Sequence, residues 1–122
     1  MKFKLRPKDA PFVSTSGANT YVSLPPAKLV KIFGEPQSSD EYKVSGEYSF
    51  STPNGGVITL YDWKATKLYD SGNEFSPEDL WSSEAGFEFN IGGDNLGQQQ
   101  VREFVAWIQS ALTNSVRFIK ED

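Results

Sequence analysis

Two stretches of the chain alternate polar and apolar residues with period two, Glu41 to Thr52 and Val57 to Trp63, and Pro53-Asn54-Gly55-Gly56 separates them. That period marks a strand with one buried face. An Asn-Gly step between two such runs is the strongest short-range signal for a β-hairpin. A two-residue Asn54-Gly55 loop sets Phe50 opposite Thr59, Tyr48 opposite Tyr61 and Gly46 opposite Trp63 on one face. On the other face it sets Ser49 against Leu60 and Glu47 against Asp62. One face is then aromatic, and the other mixes two aliphatic side chains with two carboxylates.

The rest of the chain reads as elements around this hairpin. Lys2-Phe3-Lys4-Leu5-Arg6 alternates as an edge strand, with Phe3 and Leu5 inward and the cations outward, and Pro7 ends it. Residues 9–20 form a loop with a short strand at Phe12-Val13, and Thr20–Leu24 forms a strand. Pro25 and Pro26 stop that strand and start a helix over Ala27–Phe33. Leu29, Val30, Ile32 and Phe33 form its apolar side, and Gly34 caps its C-terminus. Residues 35–41 are a polar loop, and Asp70-Ser71-Gly72-Asn73 is a turn. A short helix starts at the N-cap Ser76, with Pro77 in its first position and Glu78 and Asp79 at the positive end of the dipole, and is over by Ser83. Phe75 and Leu80 have the spacing of a hydrophobic staple.

Gly86–Ile91 alternates as another strand with Phe87, Phe89 and Ile91 on one face, and Gly92-Gly93 is read as the turn after it. Asp94 or Asn95 caps the last helix, which runs to about Thr113. Its stripe is Val101, Phe104, Val105, Ile108 and Leu112, with Trp107 off the stripe at the edge of the core. Val116–Ile119 reads as a short final strand. The expected fold is α+β. A mainly antiparallel sheet built on a central β-hairpin is packed by a C-terminal amphipathic helix and two shorter helices. Residues 1–122 make one domain.

Composition narrows the chemistry. The chain has neither cysteine nor histidine. Disulfides, thiolate metal sites and Ser-His or Cys-His nucleophile systems are therefore excluded. No apolar run is long enough to span a membrane, and the basic N-terminus lacks the apolar region of a secretory signal. A soluble, cytoplasmic protein is expected. The net charge of −4 is uneven: Lys2, Lys4, Arg6 and Lys8 lie in the first eight positions, which leaves eight basic against sixteen acidic side chains in the remainder. An acidic body disfavours nucleic acid, whose nonspecific affinity comes from neutralising phosphates. The acidity itself reads as solubility.

Three places could carry chemistry. Glu47 facing Asp62, with Lys43 and Lys64 at the hairpin's open end, is a carboxylate pair. If buried, one of the two could act as an acid or base, or the pair could hold a hard cation through oxygen ligands; on an exposed face each would pair with a nearby lysine or hydrogen-bond a loop backbone. The aromatic face of Tyr48, Phe50, Tyr61 and Trp63 could anchor a partner or simply be core under the last helix. Gly92-Gly93-Asp94-Asn95 lies between a strand and a helix, but it lacks the spacing and the following Lys-Ser/Thr of a phosphate loop. The candidate binding residues are Tyr48, Tyr61, Trp63, Glu47, Asp62 and Lys64, with no catalytic residue, metal ligand or cofactor assigned.

Ile32-Phe33-Gly34-Glu35-Pro36, Lys43-Val44-Ser45-Gly46-Glu47-Tyr48 and Leu60-Tyr61-Asp62-Trp63-Lys64 resemble segments of small, uncharacterised proteins encoded in bacteriophage genomes. The resemblance covers the middle third of the chain and brings no active site with it. It implies a viral origin and action inside a bacterial host. A non-enzymatic interaction protein with a protein partner, host or defence, is the expected function. Two alternatives stand beside it: a small ligand-binding or carboxylate-based catalytic domain using Glu47, Asp62 and Lys64, and an acidic nucleic-acid mimic.

Overall fold

The computed structural model describes residues 3–7, 10, 16–37, 43–94 and 97–121, with the side chains of 16–19 and 114–121 outside the description. Five strands form one antiparallel sheet. They are β1 (Lys4–Leu5), β2 (Ser16–Leu24), β3 (Glu47–Ser51), β4 (Val57–Tyr61) and β5 (Phe87–Asp94). Their order across the sheet is β1-β3-β4-β5-β2, so the hairpin of β3 and β4 lies inside it and, among the described residues, β1 and β2 are the outermost strands. The helices are α1 (Pro26–Phe33), α2 (Pro77–Trp81) and α3 (Gln98–Glu121). The α+β fold expected from the pattern is therefore present.

The hairpin differs from expectation by one residue. Its loop is Pro53-Asn54-Gly55, closed by the Thr52 N–H donating to the Gly56 carbonyl at 3.0 Å. The Gly55 N–H donates back to the Thr52 carbonyl at 3.2 Å. Proline in the second position of such a turn, followed by a left-handed residue, is the common three-residue hairpin loop. The Thr52 hydroxyl fixes it further, donating to Asn54 Oδ1 at 2.6 Å and accepting from the Gly56 N–H at 2.9 Å. One extra loop residue slips the register by one and turns every β4 side chain to the other face relative to β3. Glu47 now lies opposite Tyr61, Tyr48 opposite Leu60, Ser49 opposite Thr59 and Phe50 opposite Ile58. The expected pairings Tyr48–Tyr61, Gly46–Trp63 and Glu47–Asp62 are thereby overturned.

Gly55 has φ +84° and open space where a Cβ would stand. Gly55→Ala therefore isolates backbone strain from packing. It is expected to lower stability by about 1 kcal/mol, read as a shift in the denaturation midpoint at unchanged slope.

The new register makes one coherent core face. Tyr48, Phe50, Ile58, Leu60, Phe89, Ile91, Val22 and Leu24 line it, and Leu29 of α1 and Val101, Phe104, Ile108 and Leu112 of α3 close over it. The helical stripe read from the sequence is the face that packs, with Val105 at its margin. Trp107 packs beside it, its ring 5.6 Å from Phe50 and 5.5 Å from Phe3. Phe3 is buried as expected, but Leu5, on the two-residue strand β1, is 39% exposed.

Three further boundaries moved. Gly92 and Gly93 are not a turn. They are paired on both sides, Gly92 with Thr59 and Gly17, and Gly93 with Ile58 and Ser16. Asp94 ends that strand, and the first α3 turn is closed instead by the Gly97 carbonyl, which accepts from Gln100 and Val101. Residues 116–119 are helix, since α3 continues to Glu121. The Phe12-Val13 strand and the Asn95 cap lie outside the described residues. The α2 signals hold: Ser76 Oγ accepts from the Asp79 N–H at 3.1 Å, and Leu80 is buried. Among the described residues no helix is long and apolar enough to cross a membrane.

Candidate binding face

Strand alternation that sends Tyr48, Leu60, Phe89 and Val22 into the core sends their neighbours to the opposite side of the sheet. Register then aligns them in a row. Tyr21 of β2 lies opposite Asn90 of β5, Asn90 opposite Tyr61 of β4, Tyr61 opposite Glu47 of β3, and Glu47 bridges to Gln37. At the turn end of this face Val57, Thr59 and Gly92 are buried. At the other end Tyr21 is 57% exposed, Ser23 and Glu88 are exposed, and Asn90, Tyr61 and Glu47 are half-buried. Burial raises the Tyr61 hydroxyl above its ordinary pKa of 10.0, and the Glu47 charge and Tyr21 raise it further. All three causes oppose a phenolate, so Tyr61 serves as a neutral hydrogen-bonding group.

Trp63 extends this face beyond β4. It is 46% exposed and meets the Tyr61 ring edge-on at 6.3 Å. Two ammonium groups attend its indole, Lys43 Nζ at 5.8 Å and Lys64 Nζ at 5.5 Å from the ring centroid. Lys64 Nζ also lies 5.2 Å from the centre of the Tyr69 ring. The backbone holds Lys64 at φ +55°, a left-handed value unusual for a residue with a side chain. Its N–H donates to the Lys43 carbonyl at 2.6 Å, and its carbonyl accepts from Asn73 Nδ2 at 3.1 Å. The turn at Asp70–Asn73 thus fixes where the second lysine stands.

Asp62 lies elsewhere. Its carboxylate is fully buried and accepts three hydrogen bonds, from the Ser45 N–H at 2.9 Å, the Gly46 N–H at 3.0 Å and the Ser45 hydroxyl at 2.8 Å. Ser45 Oγ in turn accepts from Trp81 Nε1–H at 3.0 Å. Desolvation raises the Asp62 pKa from 3.8, while those hydrogen bonds pull it down. Glu47 faces Tyr61 on the open side, so the two carboxylates do not form a pair. Tyr48 is core as well. Its hydroxyl donates to the Gly34 carbonyl at 2.7 Å, and burial together with the Glu35 charge raises its pKa.

Of the six residues singled out, Tyr61, Trp63, Glu47 and Lys64 come together at the accessible end of one face, and Tyr48 and Asp62 do not join them. Sequence reasoning missed Tyr21 and Asn90. The signal for Tyr21 was present, since Val22 and Leu24 as core residues leave Tyr21 and Ser23 outside. Among the described residues no group of three or more carboxylates could hold a metal ion. No known protein family matches the chain, and no curated protein does.

Proposed function

We propose that this chain is a non-enzymatic interaction protein that binds a protein partner through the Tyr21–Asn90–Tyr61–Glu47 row and the adjoining Trp63. The observation that carries this reading is the exposure of Tyr21 and Trp63 on the face opposite the one the helices pack against. Tyrosine and tryptophan beside asparagine, serine and glutamate is the side-chain mix of protein-recognition surfaces, with rigid aromatic anchors among adaptable polar groups. Lys43 and Lys64 around Trp63 favour an acidic patch on the partner. The three segments that resemble phage proteins support a viral origin, with a host or defence protein in the bacterial cytoplasm as the target. The alternative of a carboxylate-based site is weakened by geometry, because Asp62 is buried under Ser45 while Glu47 faces Tyr61.

The test is stoichiometric capture from bacterial lysate, followed by titration of the purified partner with wild type, Trp63→Ala and Tyr21→Ala. Each truncation is expected to weaken binding by roughly 10- to 30-fold, as for an aromatic anchor worth about 1.5–2 kcal/mol. Recovery of no stoichiometric partner, or affinity indifferent to both truncations, overturns the proposal.

A further inference from the structure

Lys64 is a poor residue for its own backbone. At φ +55° it holds a left-handed conformation that glycine adopts freely and a lysine adopts only against strain. The conformation is held from both sides. The Lys64 N–H donates to the Lys43 carbonyl, and Asn73 Nδ2 donates to the Lys64 carbonyl at 3.1 Å and to the Thr66 carbonyl at 2.8 Å. Thr66 bridges to Phe75, and the Lys67 N–H donates to the Phe75 carbonyl at 2.7 Å, so the loop that carries Asn73 is closed at its base. The fold gains little from the side chain in return. Lys64 is exposed, and its ammonium lies against the Trp63 and Tyr69 rings, where a cation is held only weakly in water. Among the described residues it has no carboxylate partner. Backbone strain of this kind gathers at sites of function.

We infer that Lys64 is the residue by which the face selects its partner: its ammonium pairs with a single Asp or Glu carboxylate of the partner protein, and an apolar side chain beside that carboxylate packs on the exposed indole of Trp63. The inference rests on the protein-binding reading of this face and names what the partner presents to it. The two rings attract the ammonium without neutralising it, so its N–H donors remain available to a carboxylate. They also narrow the rotamers of Lys64, so less side-chain freedom is lost when the carboxylate arrives. Charge limits how acidic the partner segment is. Glu47 and Glu88 share the face, and the chain carries a net −4. A phosphate backbone or a long run of carboxylates is therefore repelled, where one carboxylate at Lys64 is not.

The experiment compares the full chain with Lys64→Gly, Lys64→Gln and Lys64→Arg. In denaturant, Lys64→Gly is expected to unfold at the wild-type midpoint or above it, because glycine relieves the left-handed strain. A lower midpoint would mean that the ring contacts of Lys64 serve the fold, and it overturns the inference. Binding is read from amide chemical shifts on titration with two short blocked peptides that differ only in Glu or Gln next to a Phe. Wild type is expected to bind the Glu peptide about fivefold more tightly, as for an exposed ion pair. That preference is expected to vanish in Lys64→Gly and Lys64→Gln and to persist in Lys64→Arg. Equal affinity of wild type for the two peptides, or tighter binding of an oligothymidylate than of the Glu peptide, overturns the inference. A captured partner that is weakened by Trp63→Ala but not by Lys64→Gly leaves the protein-binding reading standing and overturns this one. A Glu preference that depends on Lys64, with no partner recovered from lysate, supports the carboxylate site while the partner reading fails.

Discussion

Asp62→Ala is expected to destabilise the fold by about 3 kcal/mol or more, with the loss read as a lower denaturation midpoint. The truncation leaves the Ser45 and Gly46 N–H groups without their acceptor, and each orphaned buried donor costs about 1–3 kcal/mol. It also releases the Ser45 hydroxyl, which accepts the Trp81 indole N–H. Asp62→Asn is milder, since its amide oxygen can still accept from both N–H groups. Its amide nitrogen can only donate to Ser45 Oγ, so the hydroxyl hydrogen loses its acceptor, at about 1 kcal/mol. Equal losses in the two variants would show that the N–H acceptor role is not what holds Asp62 in place.

The same pair of proteins reads the carboxylate's charge. Desolvation raises the folded-state pKa of Asp62 above 3.8, so in that region the folded chain binds a proton more readily than the unfolded one. Stability contributed by Asp62 is then greatest below 3.8, falls as pH rises through the folded-state value, and is flat above it. The stability of wild type relative to Asp62→Asn is expected to fall with rising pH across that window. A difference that rises instead would show that the three hydrogen bonds outweigh burial. The network bears on the binding face because it ties Ser45 to Asp62 one residue before Trp63, and the Lys64-to-Lys43 backbone bond lies immediately beyond.

How far the sequence could be read depended on what fixed each feature. The hairpin was legible because period-two alternation around Asn54-Gly55 is a local signal, and so was the α3 stripe from Val101 to Leu112. The hairpin register was not, because it depends on whether Pro53 belongs to the strand or the loop. That choice is made by a side-chain bond from Thr52 to Asn54 and by one glycine at positive φ. The single residue at stake turned β4 over relative to β3, and it took Asp62 off the face of Glu47 and buried it. Trp63, Tyr61, Glu47 and Lys64 kept their place near one another, because neighbours along a strand and across a hairpin end stay close in either register. Gly92-Gly93 read as a turn because glycine pairs usually are. Strands on both sides of β5 overrode that preference, an influence no local window contains.

Gly46 shows the same dependence, and its substitution is the second large effect. A Cβ there would meet Trp81 Cζ2 at 2.6 Å and Pro36 Cγ at 2.8 Å, below any ordinary contact. Trp81 cannot easily retreat, because its N–H is bound to Ser45 Oγ and its ring lies between Tyr48 at 5.9 Å and Phe89 at 5.5 Å. Gly46→Ala is therefore expected to cost about 2–3 kcal/mol as overpacking, and Trp81→Ala about 3 kcal/mol as lost burial and a lost hydrogen bond. In the double variant the alanine methyl occupies space the indole has vacated. The combined loss should then fall short of the sum of the two by 1 kcal/mol or more. Additive losses in a double-mutant cycle would mean that Pro36 or the backbone, rather than the indole, demands glycine at this position. The close approach of Trp81 would then be a consequence of the hairpin's shape instead of what locks α2 against it.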